Sequence, residues 1–309
     1  MSALIKARVI LVEKKATNKV KESRRICIAC DSKKFTNYGE QLVKCTGCGL
    51  VVAKEIPTFA ELQKLYEEEY FFGMEYSDYK ADRPALEKNF RTRINHLKKY
   101  LQPKSKVLEI GCAYGYFLNM IKEDVSWHKG YDVSKEGIDY AVKELSVNAT
   151  AGDFLDDKSI KNNSLDLVCM WDVMEHFGEP QKHVEKAAKL LKKGGAMCFT
   201  TGDVGAFVAR TRGDKWRMVH PPTHIYYFNV EGATKLLKKH GLKVVSVKYR
   251  ATHRNAGSVL QQLVVNKKAK NKSAKTLELG HKLATKTGLD KLNFPLNLYD
   301  VMEVTAVKE

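Results

Sequence analysis

The segment from Val107 to Asp132 limits what this chain can fold into more than any other part of its sequence. It begins with the apolar stretch V-L-E-I, passes through the small-residue turn G-C-A-Y-G, and reaches a second strand-like stretch, K-G-Y-D, after a gap of helix length. A strand, a tight turn, an amphipathic helix and a second strand make one β-α-β unit, and such units bind ligands at the carboxyl ends of their strands. The segment therefore predicts a parallel sheet with a ligand site at its strand tips.

The turn and the second strand tip also indicate which kind of ligand binds there. Four residues are spaced so that the backbone turns sharply and a ligand can approach it closely: Glu109, Gly111, Ala113 and Gly115. Asp132 follows at the distance of roughly 20 residues at which a carboxylate accepts hydrogen bonds from a ribose diol. A glycine turn of this kind is also common as a purely structural feature, but the acid at Asp132 favours a nucleoside-bearing ligand. Glu109 would repel a pyrophosphate, whereas it would tolerate a cationic sulfonium.

Length and composition exclude several classes of protein. The 309 residues suffice for one large α/β domain and a small module. No apolar run approaches the roughly 18–20 residues that a bilayer-spanning helix needs, and the segment from Met1 to Arg25 lacks the uninterrupted apolar region of a signal peptide. We therefore expect a cytoplasmic protein that does not insert into a membrane and whose seven cysteines are reduced.

The formal net charge of +17 makes nucleic acid a candidate partner. Only 11 of the 53 basic residues are arginine, however, so the chain is poor in the side chain that binds phosphate and guanine in a bidentate manner. A lysine excess that is spread over helix faces often reflects genome composition instead. Nucleic acid therefore stays an open but less favoured partner, and the sequence is silent on the oligomeric state.

Four cysteines in two pairs predict a metal site. Each C-x-x-C pair forms a knuckle in which two thiolates face one metal, and 14 residues separate the two pairs. Four thiolates close a tetrahedral Zn²⁺ site without an open position, so the expected role is structural. A redox role is less favoured because neither pair opens a helix after a strand. The expected ligands are Cys27, Cys30, Cys45 and Cys48, and the cysteines expected in the core are Cys112, Cys169 and Cys198.

These features divide the chain into four predicted segments. Residues 1–24 form a basic N-terminal arm, residues 25–55 the zinc ribbon, residues 56–84 an aromatic-rich connector, and residues 85–309 the main domain. The ribbon can serve as a folding clamp, as a lid or wall of the ligand site, or as a nucleic-acid contact. Its few cations favour a clamp that also forms a wall of the site.

Helix-like and strand-like segments alternate along the main domain, which predicts a doubly wound α/β fold with a mostly parallel sheet of seven strands. The predicted strands are Val107–Ile110, Gly130–Asp132, one near Thr150, Leu165–Met170, Ala196–Thr201, Lys243–Tyr249 and Leu298–Val307. The predicted helices are Thr58–Tyr70, opened by a Thr58/Glu61 capping box, then Ala85–Leu101, one from Tyr116, Ser134–Leu145, Gln181–Leu191, one that ends at Leu236–His240, and Leu277–Thr287. Gly194-Gly195 is predicted to end the helix before the fifth strand, and Lys267–Lys275 reads as a lysine-rich linker.

With these motifs the chain resembles the class I S-adenosylmethionine-dependent methyltransferases, in the branch that carries an N-terminal zinc ribbon and includes sugar and small-molecule methyltransferases. The resemblance covers residues 85–309 and rests on several separated motifs, among them the turn at Gly111, A-G-D-F at 151–154 and W-D-V-M-E-H-F-G at 171–178. It implies a Rossmann-like sheet with an antiparallel last strand and S-adenosyl-L-methionine as the cofactor, beside the structural Zn²⁺. The family usually has glycine where this chain has Ala113, which is a small departure.

The resemblance assigns the cofactor site to residues at the strand tips. Asp153 and Phe154 would hold the adenine, although an aspartate at this place equally suits a cap of the next turn. Trp171 and Asp172 would flank the cofactor close to its transferable methyl group. The complete expected set is Glu109, Gly111, Ala113, Gly115, Asp132, Asp153, Phe154 and Trp171.

Two histidines are expected at the acceptor end of the site. His224 lies in H-P-P-T-H-I-Y-Y at 220–227, which resembles the substrate-side loop of zinc-ribbon methyltransferases. Its pKa near neutrality suits a general base that takes a proton from a hydroxyl group. Thr223 stands where the carbohydrate enzymes commonly have an acid, and this departure speaks against their carbon-methylating mechanism. His176 is expected to contact the substrate.

The predicted reaction is methyl transfer from S-adenosylmethionine to a small-molecule or carbohydrate acceptor, with O-methylation of a hydroxyl favoured. Two alternatives stay open. An RNA methyltransferase would use the basic surface and the zinc ribbon, and its activity would fall steeply with salt. A binding protein would retain the cofactor fold without turnover, which the intact acids and glycines of the site disfavour.

Overall fold

The computed structural model describes residues 25–58, 60–62, 64, 79–269 and 275–309. The predicted basic arm and most of the predicted connector lie outside these residues. The strands are β1 (Phe35–Asn37), β2 (Leu42–Cys45), β3 (Val51–Ala53), β4 (Lys106–Ile110), β5 (Trp127–Asp132), β6 (Ala149–Ala151), β7 (Leu165–Trp171), β8 (Leu191–Gly202), β9 (Tyr226–Tyr227), β10 (Leu242–Lys248), β11 (Thr252–Asn255), β12 (Asn293–Leu296) and β13 (Val301–Lys308). The helices are α1 (Arg83–Leu97), α2 (Tyr116–Ile121), α3 (Lys135–Lys143), α4 (Pro180–Leu190), α5 (Phe207–Arg212), α6 (Val230–Lys239), α7 (Ala256–Ala269) and α8 (Lys275–Thr287).

Seven of the strands form one central sheet in the order β10-β13-β8-β7-β4-β5-β6. Strands β4 to β8 run parallel to one another, and β13 is antiparallel to both of its neighbours. The strand order reverses between β4 and β7, and α/β sheets bind ligands at such a switch point. The predicted doubly wound, mostly parallel sheet of seven strands is confirmed, including its antiparallel last strand.

The central strands are apolar on both faces because the core extends over both sides of the sheet. In β7, Leu167 and Cys169 pack into one hydrophobic cluster, whereas Val168 and Met170 pack into the other. This alternation follows from the two-residue repeat of a strand. The cysteines predicted for the core are buried there: Cys112, Cys169 and Cys198.

Several predicted helix boundaries differ from the structure by a few residues; for example, the helix predicted for Ala85–Leu101 ends at Leu97. Helix α1 begins at Arg83 rather than at Ala85, because Pro84 lies in its first turn, where the fixed φ of proline suits a helix. The prediction that Gly194-Gly195 ends the helix before the fifth strand is wrong, since α4 ends at Leu190 and both glycines lie within β8. A register shift between β7 and β8 lies beside them, and the left-handed φ of +79° at Gly194 accommodates it.

The segments after β10 also differ in part from the prediction. Helix α7 contains the apolar run Ser258–Val265, to which the sequence analysis assigned no helix, and the predicted helix Leu277–Thr287 is α8, which begins at Lys275. Of the predicted linker, residues 267–269 belong to α7 and Lys275 begins α8, whereas residues 270–274 lie outside the described residues. None of the helices in the part of the chain that the structure describes has the length and apolar character needed to cross a bilayer.

The capping box at the start of the connector is confirmed. The backbone N–H of Thr58 donates to the Glu61 carboxylate (2.7 Å), and the backbone N–H of Glu61 faces the Thr58 hydroxyl (3.4 Å). The predicted extension of this helix to Tyr70 lies outside the described residues.

The small sheet of the ribbon continues into the main domain. Strands β1, β2 and β3 form an antiparallel meander, and β3 pairs with β9 through Val51–Tyr227 and Val52–Tyr226. The side-chain amide of Asn229 donates to the carbonyl of Cys48 (2.9 Å). The ribbon is thus fastened to the segment that directly follows His224.

A buried carboxylate fastens the loop before β9 to the central sheet. Asp300, at the start of β13, accepts hydrogen bonds from the indole N–H of Trp216 (2.9 Å) and from the guanidinium of Arg217 (2.8 Å). Asp300 is 1 % exposed, and hydrogen bonds to a buried charged group are among the stronger ones. This contact holds the start of the loop that carries the predicted catalytic histidine.

Candidate functional site

A cavity of about 550 Å³ lies at the carboxyl ends of β4, β5, β6 and β7. Gly111 follows β4, Asp132 ends β5, Asp153 follows β6 and Val173 follows β7, and all four residues line the cavity. The described lining also includes residues 56–58, which directly follow the predicted ribbon. The strand tips predicted for the ligand site therefore surround one cavity.

The turn after β4 is closed by backbone hydrogen bonds to the neighbouring strand. The N–H groups of Gly111 and Cys112 both donate to the carbonyl of Tyr131 (2.7 and 3.0 Å). Gly111 has a left-handed φ of +77°, and a Cβ atom added there would lie 2.2 Å from Val173 Cγ2. Only glycine lets the turn pass this close to the loop after β7.

Ala113 adopts a left-handed φ of +47° at the place where the family usually has glycine. For a non-glycine residue this conformation costs about 1–2 kcal/mol. The backbone N–H of Ala113 donates to Asp132 Oδ2 (2.8 Å), and this bond holds the turn against the tip of β5. The departure from glycine thus carries a small strain that a charged hydrogen bond offsets.

Asp132 joins three parts of the site. Its Oδ2 accepts from Ala113, and its Oδ1 accepts from the backbone N–H of Ser134 (2.8 Å), the cap of α3. Burial raises the pKa of the Asp132 carboxyl, and the amide groups of Ser134 and Ala113 counteract this rise. A half-buried carboxylate at the edge of the cavity, with two lone pairs on each oxygen, has the chemistry that a ribose diol requires.

The loop after β6 forms an aromatic part of the cavity wall. Asp153 caps the following turn because its Oδ1 accepts from Leu155 N–H (2.8 Å), and the same oxygen lies 3.4 Å from His183 Nε2. Phe154 is buried and lines the cavity, and the ring of Phe177 stacks on that of His183 at 3.7 Å between centroids. The structure therefore shows the cap that the sequence left open as one of two roles of Asp153.

Four residues of the predicted cofactor set lie outside the described lining of the cavity: Glu109, Ala113, Gly115 and Trp171. Glu109 is 2 % exposed within β4, and burial together with the nearby Asp132 raises its pKa well above the usual range. Its carboxyl group is therefore not the surface anion that the sequence argument against a pyrophosphate assumed. Trp171 packs edge-on against Phe117 and lies under the Arg93 guanidinium (4.6 Å) on the other face of the sheet.

The two predicted catalytic histidines lie together. His176 lines the cavity, and His224 lies behind it, with 4.5 Å between the ring centroids. His176 Nδ1 contacts the carbonyl of Thr223 (2.9 Å), and His224 Nδ1 contacts the carbonyl of Met218 (2.9 Å). Because a carbonyl oxygen only accepts hydrogen bonds, Nδ1 of each neutral ring carries the proton and Nε2 carries the lone pair.

Thr223 holds a third histidine in this cluster. Its hydroxyl donates to the carbonyl of His220 (2.8 Å) and contacts His220 Nδ1 (2.7 Å), and the His220 and His224 rings lie 3.7 Å apart between centroids. Thr223 therefore orients an imidazole beside His224.

Sequence reasoning missed Glu175, which supplies a carboxylate to the histidine cluster. A carboxylate oxygen of Glu175 and one nitrogen each of His176 and His224 lie within 4.8 Å of one another, and all three side chains are buried. Burial raises the pKa of Glu175 to about 7, and nearby His224 partly counteracts the rise. In the sequence, the position of Glu175 directly before the predicted site residue His176 was the signal that could have identified it. Such a group can bind a cation, and it can equally hold a proton between its members.

The four ribbon cysteines converge as predicted. The sulfur atoms of Cys27 and Cys48 are 3.5 Å apart, as are those of Cys30 and Cys45, and all four lie within 4.8 Å of one another. A left-handed φ of +76° at Gly49 closes the second knuckle. Four sulfur atoms at these separations have the number and arrangement that a tetrahedral metal site needs.

The family of the chain follows from this fold and from its sequence. A family model described as a methyltransferase domain matches residues 79–247, more than half of the chain. The chain belongs to this family, and it is an S-adenosylmethionine-dependent methyltransferase of the class I fold. The sheet order and the turn at the tip of β4, described above, are the structural counterparts of that match.

Similar sequences include O-methyltransferases. An uncharacterized protein of Methanocaldococcus jannaschii is 26 % identical over 155 residues, which cover 50 % of this chain and 72 % of that protein. A ubiquinone biosynthesis O-methyltransferase of Coxiella burnetii is 25 % identical over 115 residues, which cover 35 % of this chain. The match spans 49 % of the Coxiella enzyme, about half of its length.

Solved structures share the fold at low sequence identity. The magnesium protoporphyrin IX methyltransferase of Synechocystis PCC 6803, solved with bound SAH, has a TM-score of 0.52 at 13 % identity and covers 82 % of this chain and 100 % of its own. The [4+2]-cyclase SpnF has a TM-score of 0.51 at 15 % identity, with 82 % and 97 % covered. A cyclase on the same fold shows that the fold alone does not determine the acceptor or the reaction.

Replacing Gly111 by alanine tests the close approach at the turn. We expect Gly111→Ala to lower the free energy of unfolding by about 2–5 kcal/mol, from the left-handed strain and the overlap with Val173. Gly194→Ala is the matched control, because Gly194 has nearly the same φ of +79° but nothing within 4 Å of an added Cβ. Urea unfolding of both variants separates the steric contribution of Val173 from the cost of the left-handed conformation. Equal losses of stability in the two variants would contradict a steric contribution.

Proposed function

We propose that this methyltransferase modifies a hydroxyl group of a small-molecule or carbohydrate acceptor. The observation that carries the proposal is the buried group of Glu175, His176 and His224 beside the cavity, because it can take up the proton that a hydroxyl loses. The similarity to an O-methyltransferase that the Coxiella name specifies supports the same class of acceptor.

The cavity fits the cofactor in its size and in the residues that line it. We assign Asp132 to the ribose diol and Phe154 to the adenine, with Asp153 beside the adenine amino group. Both described contacts of Asp153 use Oδ1, so its Oδ2 is the oxygen assigned to that amino group. Gly111 contributes close approach of the backbone. We assign Glu109, Ala113 and Gly115 to shaping the turn from behind and assign no cofactor contact to Trp171.

The bound cofactor supplies a methyl group that its positive sulfur has already activated. The protein then has to align the acceptor, exclude water and hold the proton. His176 is placed to contact the acceptor because it lines the cavity, and we assign the proton to His224 behind it. Glu175, when ionised, stabilises the imidazolium that forms on His224, and His224 Nδ1 stays oriented by the Met218 carbonyl.

We assign one structural Zn²⁺ to the ribbon cysteines. The four sulfur atoms leave no open coordination position, so this metal would hold the ribbon together and through it β3 and β9. Thiolate ligands need reduced cysteines, which favours the cytoplasm as the location of the protein.

Methyl-labelled S-adenosylmethionine, the purified protein and a cell lysate test the proposed acceptor class. After incubation the lysate is separated into nucleic acid, protein, and small-molecule or glycan fractions. We expect label in the small-molecule or glycan fraction as a methyl ether. Label in RNA that declines steeply with added salt would overturn the proposal in favour of an RNA acceptor.

Variants of the acidic and imidazole groups in the same assay test their roles. His224→Ala should lower kcat by about 10²-fold or more without weakening cofactor binding, since it removes the proton acceptor. Glu175→Gln should lower kcat at pH 8, where a carboxyl with a pKa of about 7 is ionised, and should change it little at pH 6, where wild-type Glu175 is itself neutral. His240→Ala, directly after the end of α6, is the matched control. An equal loss at both pH values would remove the charge of Glu175 from the mechanism.

Asp132→Ala should weaken binding of S-adenosylmethionine by about 1–3 kcal/mol, or roughly 5- to 150-fold, because a charged hydrogen-bond acceptor for the ribose is lost. Calorimetric titration measures this directly, and the demethylated product should lose affinity equally because it carries the same ribose. Asp139→Ala, an exposed aspartate paired with Lys135, is the control and should leave affinity unchanged. Unchanged affinity of Asp132→Ala would exclude Asp132 from the cofactor site.

Elemental analysis should find one zinc per chain in the purified protein. Cys45→Ser should lose this metal and lower the unfolding temperature, because three thiolates no longer close the site. Cys198→Ser, a core cysteine far along the chain, is the control and should keep the zinc. Full zinc retention in the Cys45 variant would argue against the assignment.

A further inference from the structure

Exposed apolar side chains are concentrated in one segment near the end of the described chain. Of the thirteen strongly exposed large hydrophobic residues in the described parts of the chain, eight lie between residues 279 and 299. They belong to α8, the turn after it, β12 and the approach to β13. Leu279 is 69 % exposed and Leu283 is 61 % exposed. Apolar side chains clustered in this way on a surface mark an interaction site.

Helix α8 presents its two exposed leucines together with lysines on a single face. At 3.6 residues per turn, five residues fall within an arc of about 100°: Lys275, Leu279, Lys282, Leu283 and Lys286. All five are exposed. Ala284, the buried residue of the helix, lies on the opposite side. The outward face of α8 thus alternates cationic and apolar side chains, while the other side packs inward.

The surrounding sequence is strongly basic. Residues 256–299 contain eight lysines and only two acidic residues. The described lysines on α8 and Lys291 after it are exposed. A surface of this composition is complementary to a partner that offers both negative charge and an apolar layer.

We propose that this face of α8, together with the turn that follows it, docks the protein peripherally on an anionic lipid bilayer. Lysines at the rim of the face contact lipid phosphates, and Leu279 and Leu283 enter between the headgroups. A second copy of the chain fits this surface less well, because a symmetric contact would bring two positively charged faces together. RNA offers the charge but leaves the leucines without an apolar partner. The proposal is independent of the acceptor.

Flotation of the full-length protein with lipid vesicles tests the proposal. We expect binding to vesicles of phosphatidylcholine with one part in three phosphatidylglycerol, weaker binding as salt rises, and at least tenfold weaker binding to phosphatidylcholine alone. Leu279→Gln/Leu283→Gln should weaken binding to anionic vesicles at least tenfold. Lys282→Gln should weaken it about fivefold, which corresponds to about 1 kcal/mol per cation at such a surface.

Val142→Gln/Lys161→Gln is the matched control, because it removes one exposed apolar and one exposed basic side chain elsewhere and should leave vesicle binding unchanged. Unchanged cofactor affinity in every variant shows that the fold is intact. Failure of the wild type to float, or flotation that survives the leucine replacements, would overturn the proposal. The proposal would also be overturned if the protein bound RNA as tightly as anionic vesicles and the leucine variant kept this RNA binding. A dimer that forms through Leu279 and Leu283 would overturn it as well.

Discussion

The hydrogen bond from the Ala113 amide to the Asp132 carboxylate is the contact on which the site depends. It connects the turn after β4 with the tip of β5, while the second oxygen of Asp132 holds the first turn of α3. A single carboxylate therefore sets the mutual position of two strands and a helix and still faces the cavity. Ala113 keeps its left-handed conformation because this bond and the close approach of Gly111 to Val173 restrict the backbone conformations that the turn can adopt.

A second connection links the ribbon to the proposed acceptor end. The four cysteines hold β2 and β3, β3 pairs with β9, and β9 begins two residues after His224. Asp300 holds the other end of the same loop through Trp216. The histidine cluster thus rests between two anchored segments, which limits the movement of rings whose Nδ1 atoms already contact backbone carbonyls.

The parts of the fold with strong periodicity or fixed spacing were predictable. The alternation of strands and helices along the chain and the cysteine cluster follow from patterns within short stretches of sequence, whereas the antiparallel β13 was expected from the resemblance to the methyltransferase family. The prediction of a helix end at Gly194-Gly195 was wrong because a glycine pair is as compatible with an irregularity in a strand as with the end of a helix. Trp171 lies outside the described cavity lining because alternate residues of a strand point to opposite faces, and its register turns it toward Phe117.

By itself, the sequence determined the doubly wound class of the fold, the metal-binding pattern of the ribbon and the carboxylate at the tip of β5, because each depends on residues that are near one another in the chain. Tertiary structure alone decided that Glu175 meets His224 across 49 positions, that burial raises the pKa of Glu175 to about 7, and that Glu109 is enclosed in the sheet. It also decided which face of α8 is exposed in the part of the chain that the structure describes. Burial and long-range contact depend on how layers pack, and no local pattern of residues specifies that packing.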